Sequence, residues 1–283
     1  MSAVTRIQSR VPWEDYLALP GASITRLKEL RRSPQHYRHR LQNPKETPSL
    51  SLGRAAHCAV LEPERFGRDH AVWTRRTQSK AMAPRNGKAW NEFKSEHQGK
   101  TILTADEYDE AMAMQVAIRG NQDAMRYLEQ GDPEVTMQWM ARGLACKGRI
   151  DWLTNVDGRV VVVGLKTARD CRPFQFGNQA ARLGYHLQWA FYKDGYEAIT
   201  GNRDVKMVEI VIEPEAPYAV VVYEIPEDVM LQGFDEYVAL LEILEECERN
   251  NAWPGPAPGE QILTLPSWAY PSDEDLSDLG LEQ

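Results

Sequence analysis

Asp151, Lys166, Gln188 and Tyr192 fall in one dense stretch, CKGRIDWLTNVDGRVVVVGLKTARD followed by GYHLQWAFYKDGY. An acid closes one predicted strand, a lysine sits on the next, and a helix then offers Gln188 and Tyr192 one turn apart. Hydrolysis of a phosphodiester needs a polarised phosphoryl oxygen, an activated water and relief of charge on the leaving oxygen. Magnesium or manganese ions held by carboxylates supply these, and a lysine can orient or deprotonate the water. Side chains at i and i+2 of a strand share a face, so position 164 points the same way as Lys166. A second carboxylate is expected there, and the chain has Gly164.

These residues need a sheet and a covering helix. Val135–Met140, Leu144–Thr154 and Arg159–Thr167 read as consecutive strands, the last two joined by an Asp157-Gly158 hairpin signal. Val160 to Val163 is apolar on both faces, which predicts a central strand covered by helices. Helical patterns over Phe174–Leu183 and Tyr185–Ile199 are followed by strands Val205–Ile212 and Tyr218–Ile225 and a long helix over Asp228–Asn250. Upstream, Ile24, Leu27 and Leu30 line one helical face, and Ser33-Pro34 starts a new helix. Leu52–Leu61 is a compact apolar helix holding His57, and Thr104 to Glu107 is a capping box for a helix reaching about Arg119. Residues 78–89 read as a basic loop.

The residues Lys147-Gly148-Arg149-Ile150-Asp151, Leu165-Lys166-Thr167, Tyr185-His186-Leu187-Gln188, Ala190-Phe191-Tyr192 and Asp194-Gly195-Tyr196 carry a family resemblance. So do Ile24, Leu27-Lys28, Ser33 to Tyr37, Gly53 with His57, Leu61-Glu62-Pro63, Trp253-Pro254 and Leu263 to Trp268. Together they resemble the exodeoxyribonuclease VIII (RecE-type) family of the PD-(D/E)XK nuclease superfamily. The resemblance implies an α/β restriction-endonuclease-like core, a mixed central β-sheet flanked by α-helices, and a metal-dependent DNA exonuclease of phage or prophage recombination type. It implies Asp151 and His57 as metal ligands with Glu134 as a further acid, Lys166 as the catalytic lysine, and Gln188 and Tyr192 orienting the lysine and phosphate. It also implies Mg²⁺ or Mn²⁺ as cofactor, linear double-stranded DNA as substrate, a single-strand annealing protein as partner and a ring-like homo-oligomer.

Gly164 departs from that pattern and leaves three readings open: another acid, Glu134 or Asp170, has taken over; the chain is a binding-only, catalytically impaired nuclease-fold module; or the glycine is an inactivating substitution. Gly164→Asp tests the site directly, since a large gain in activity on restoring the acid would mean that the rest of the site is intact. Arg149 could alternatively serve as an ion-pair partner of Asp151.

Length and composition are compatible with a single domain over 1–270, with a helical N-terminal part at about 13–66 and a core at about 100–250. Residues 271–283 read as an acidic, disordered tail, and the stretch LTLPSWAYP before it as an extended segment docked by Leu and Trp. An interaction role for the tail is a third functional class. No stretch is apolar enough for a membrane span, no signal segment opens the chain, and the four cysteines show no CxxC pairing, all pointing to a cytoplasmic protein with reduced thiols. The net charge of −8 is concentrated after Asn251, where acids stand without Lys or Arg. Basic residues crowd two other stretches, Arg26, Lys28, Arg31, Arg32, Arg38 and Arg40, then Arg75, Arg76, Lys80, Arg85 and Lys88. Arg26, Arg31, Arg32, Arg149 and Arg169 are the candidate DNA contacts.

Overall fold

Four consecutive valines can be buried on both sides only if their strand lies inside a sheet with apolar layers above and below. In the computed structural model, which describes residues 5–43, 48–74, 84–266 and 269, Val160–Val163 occupy such a place. In chain order the elements are β1 (Arg6–Gln8), α1 (Trp13–Ala18), α2 (Ile24–Leu27), a 3-10 turn (Lys28–Arg31), α3 (Pro34–Gln42), α4 (Pro48–Leu61), α5 (Pro63–Asp69), β2 (His70–Trp73), α6 (Gly87–Glu96) and β3 (Thr101–Thr104). There follow α7 (Ala105–Gly120), α8 (Gln122–Leu128), β4 (Asp132–Ala141), β5 (Leu144–Val156), β6 (Arg159–Thr167), α9 (Pro173–Leu183), α10 (Tyr185–Thr200), β7 (Val205–Ile212), β8 (Val220–Glu224) and α11 (Glu227–Asn250).

The main sheet of the described residues has the order β1-β4-β5-β6-β7-β8. Every neighbouring pair is antiparallel except β6 and β7, which run parallel. A parallel pair requires a crossover, and α9 with α10 provides it. β2 and β3 form a separate parallel pair. The β5–β6 hairpin turns on Asp157 (φ 55°) and Gly158 (φ 84°), both left-handed as a two-residue type I′ connection demands.

Alternation along β6 and β7 splits the core. Val162, Met207 and Val211 face Leu187 and Phe191 of α10 and Leu241 of α11. Val161, Val163, Val208 and Ile210 face Ala56 and Val60 of α4, Met114 and Ile118 of α7, and Ala124 of α8. The central strand, the mixed sheet and the helices on both faces agree with the sequence reading. So do the Ser33 cap, whose side chain accepts from the His36 N–H, and the Thr104–Glu107 capping box.

Several expectations change. Gly87–Ala89, read as loop, open α6, while Arg75, Arg76 and Lys80 lie outside the described residues. Leu263 and Leu265 are exposed and do not dock; Trp268 and the acidic segment 271–283 also lie outside the described residues. Instead Trp253 stacks on Tyr37, centroids 5.9 Å apart. No described helix is long and apolar enough to cross a membrane.

Candidate active site

Asp151 and Lys166 come from the two arms of the β5–β6 hairpin, and His57 from α4, which packs on those strands. The His57 Nδ1 lies 4.0 Å from Asp151 Oδ2. The Lys166 Nζ lies 3.6 Å from the same oxygen, which also accepts a 2.9 Å hydrogen bond from the Leu165 N–H. Thus His57 and Lys166, two of the expected site residues, meet on one oxygen of a third, Asp151, while Gln188 makes no contact with that oxygen. The Lys166 ammonium also sits 5.6 Å from the centroid of the Tyr185 ring of α10, as does the Lys28 ammonium.

A fourth group at this site has no counterpart in the sequence reading. Glu209, in the middle of β7 and 1% exposed, places Oε1 3.4 Å from Lys166 Nζ. Its Oε2 accepts a hydrogen bond from the Trp189 indole N–H, while Oε1 is buried with no hydrogen-bond partner. The available signal was an acid inside VKMVEIVI, a strand otherwise apolar on both faces apart from Lys206 near its start. A charge is not buried there without a partner or a task.

The electrostatics of the cluster follow from burial opposed by pairing. Burial alone would raise the Asp151 carboxyl, but Lys166, His57 and the Leu165 N–H outweigh it and hold Asp151 below its usual value. Burial would lower Lys166, yet Glu209 and Asp151 raise it well above the ordinary lysine value. Lys166 is therefore an ammonium at neutral pH, a group that orients and neutralises rather than one that accepts a proton. Burial pushes His57 down, against the pull of Asp151, leaving a neutral imidazole able to act as a ligand. Burial likewise pushes Glu209 up, opposed by Lys166 and Trp189.

Tyr192 stands over Gly148, where an added Cβ would lie 2.9 Å from the ring. Burial raises its hydroxyl, which meets the Gln188 side chain and the Arg149 backbone. Gln188 and Tyr192 thus act as a pair on one helix face beside β5, and the side chain of α10 against the lysine is Tyr185. Glu134, at φ 54°, is bound by the Arg149 guanidinium. Burial carries its carboxyl up to about 7, with Arg149 opposing and Asp151 adding to the shift. Arg149 pairs with Glu134, not with Asp151 as the sequence allowed, and lies beneath Trp13 and Tyr16 at 5.5 and 5.7 Å. Asp170, the other candidate for a substitute acid, is turned to Arg172 at 2.5 Å, which holds it down to about 2.

Among the candidate DNA contacts, Arg169 is exposed just past the end of β6 and Arg26 is half-buried. Arg31 pairs with Glu236 at 2.8 Å, and Arg32 lies 3.8 Å from Glu29. Lys28 is closer to the lysine site: burial, then Lys166 and Arg31, push it down to about 8.

The donor set of two carboxylates and a neutral imidazole suits a hard divalent cation, and Glu209 Oε1, buried without a hydrogen bond, faces the same site. In the present arrangement no three His, Cys, Asp or Glu side chains among the described residues stand close enough to hold an ion; the Lys166 ammonium bridges the two carboxylates instead.

Residues 23–263, a span containing every side chain just described from α2 through β7, match the family described as PDDEXK-like domain of unknown function (DUF3799). The chain belongs to that family. The PDDEXK-like fold is also that of a solved structure, the "Putative exonuclease" of Eubacterium rectale. That protein superposes with a TM-score of 0.60 over 92% of this chain and 96% of its own, at 14% identity. A protein of Vibrio cholerae aligns over 84% of this chain and 62% of its own at 12% identity, with a TM-score of 0.23. No curated protein matches the chain in sequence. The family is thus established at the level of the PD-(D/E)XK superfamily, and the narrower RecE-type assignment stands as a resemblance.

Proposed function

We propose that this PDDEXK-like chain is a metal-dependent exodeoxyribonuclease that hydrolyses phosphodiesters of linear double-stranded DNA. The carrying observation is the meeting of His57, Lys166 and the Leu165 N–H on Asp151 Oδ2. The name of the Eubacterium rectale protein, which shares the fold, accords with this reading. Mg²⁺ or Mn²⁺ would be held by Asp151 with His57 alongside, and would polarise the phosphoryl oxygen and activate water. Lys166, fixed as an ammonium, orients the phosphate and neutralises charge that grows on its oxygens. Gln188 and Tyr192 fix the α10 wall beside β5, Lys28 brings positive charge to Tyr185 of the same helix, and Arg169 is exposed just past β6. The resemblance to RecE-type enzymes further suggests a phage recombination role, a single-strand annealing partner and a ring of identical subunits.

The test is release of nucleotides from end-labelled linear duplex. With Mg²⁺ or Mn²⁺ present, wild type should release them, and Asp151→Ala and Lys166→Ala should each be slower by about a hundredfold or more. Gly164 favours a second reading, a nuclease-fold module that binds DNA without cutting it. Retained duplex binding with no release in either metal would establish that reading and end the first.

A further inference from the structure

Position 164 and Glu209 are register partners. Gly164 pairs with Glu209 in the parallel β6–β7 ladder, so their side-chain directions share one face of the sheet. Lys166, two residues on, projects from that face too. On the other side of β6, one step past Trp152↔Val163, the last pair of the β5–β6 ladder, the chain brings Asp151 alongside Gly164. Gly164 is thus flanked by one acid on each neighbouring strand.

The space above Gly164 is filled. A Cβ built there would stand 2.4 Å from Glu209 Oε1, 2.6 Å from Oε2 and 2.7 Å from Cδ. The Glu209 carboxylate therefore lies where a side chain at position 164 would begin. The absence of a Cβ at 164 is what lets it lie there. The carboxylate is held on one oxygen by the Trp189 indole, while the other, Oε1, faces Lys166 Nζ at 3.4 Å and has no hydrogen-bond partner.

Resting on the nuclease reading above, we propose that Glu209 supplies from the adjacent strand the carboxylate that position 164 lacks, so that Asp151 and Glu209 together form the cation-binding pair beside Lys166. The two acids confront a single ammonium, which leaves a negative excess for a divalent cation to neutralise. The alternative source of the acid, Asp170, is committed to Arg172, and Glu134 is committed to Arg149. Of these three acids, Glu209 is the one paired with the lysine.

The experiment compares full-length wild type, Asp151→Asn, Glu209→Gln and the relocated pair Gly164→Asp/Glu209→Ala. Two readouts are taken: Mn²⁺ binding by calorimetry without DNA, and nucleotide release from linear duplex. Glu209→Gln keeps the shape and an acceptor for Trp189, and its fold is checked by circular dichroism. The expected result is a tenfold or greater loss of Mn²⁺ affinity and about a hundredfold loss of release in Glu209→Gln. The relocated pair should recover a measurable part of both, because it returns a carboxylate to the same space and removes the clash. If Asp151→Asn loses both properties while Glu209→Gln keeps wild-type Mn²⁺ affinity, Glu209 is only a structural counter-ion of Lys166; the proposal falls and the nuclease reading stands. If wild type itself neither binds Mn²⁺ nor releases nucleotides, the nuclease reading falls and takes the proposal with it.

Discussion

Adding a carboxylate at position 164 puts a second acid into space that Glu209 already fills. Sequence alone leaves the outcome of Gly164→Asp open, a large gain meaning an otherwise intact site; the packing predicts no gain. Glu209 is 1% exposed and tied to Trp189 and Lys166, so it yields only by breaking those contacts, and two acids on one ammonium repel. Gly164→Asp alone should lose about 2–4 kcal/mol of stability and gain no nuclease activity, measured by chemical denaturation and duplex degradation. His57 gives a pH signature. Burial sets its folded value below the ordinary 6.5, so as pH falls below 6.5 the unfolded chain takes up a proton that the folded chain resists. Stability should drop on acidification through that window, and the drop should be smaller in His57→Gln, measured as melting temperature from roughly pH 8 to pH 5. An equal acid limb in both proteins would remove His57 from the explanation. At this scale the sequence was partly legible. Asp151, Lys166 and His57 could be named because the blocks around them resemble the RecE-type family, their types and spacing alone being a weak signal, whereas Glu209 was hidden because only strand register brings it to Gly164. A single acid in an apolar strand announces that something unusual is buried, without saying beside what.

Helix α10 carries Tyr185, Gln188, Trp189 and Tyr192, so its seating decides the site. It is clamped between strand and helix at glycines. A Cβ on Gly233 of α11 would stand 2.2 Å from the His186 carbonyl oxygen of α10, a backbone atom with no freedom to move aside. Gly233→Ala should cost about 2–4 kcal/mol by prising the two helices apart. Gly67→Ala on α5, where an added Cβ meets nothing within 4 Å, should instead gain about 0.5–1 kcal/mol from the better helix former. Urea titrations of the two variants separate close packing from helix propensity; equal effects would refute the packing argument. Elements with strong local signals were legible: the hairpin at Asp157-Gly158, the capping box at Thr104, the apolar face of α2 and the long helix α11. The short pieces β1, α1, β2, β3 and α8 were not. β1 is only Arg6–Gln8 and exists by pairing with β4. The end of α1 is held by the buried Lys147 ammonium, which donates to the carbonyls of Tyr16, Leu17 and Leu19. Contacts across more than a hundred residues leave no local pattern.

For the whole molecule, charge distribution outweighs charge total. The chain carries −8 overall, yet residues 271–283 hold Asp273, Glu274, Asp275, Asp278 and Glu282 with no Lys or Arg. Truncation after Tyr270 removes these carboxylates without touching any residue of the site. It should strengthen duplex binding at low salt by a few-fold and leave the stability of the fold unchanged, read from fluorescence anisotropy across a salt series. Unchanged affinity at every salt concentration would show that the acidic segment exerts no influence on the DNA surface. The mixed sheet with helical layers was legible because the switch between period 2 and period 3.6 marks each layer. Strand order was less so, since nothing local states that β7 lies beside β6.

The parallel pairing of β6 with β7 has a consequence for how such proteins are recognised. Residues on neighbouring strands share the same patch of space, so a chemical group can change its address in the chain by 45 residues, from 164 to 209, while its oxygens stay put. A linear signature that demands an acid two residues ahead of the lysine would discard this chain as defective. A search that asks which carboxylates lie above the glycine would keep it.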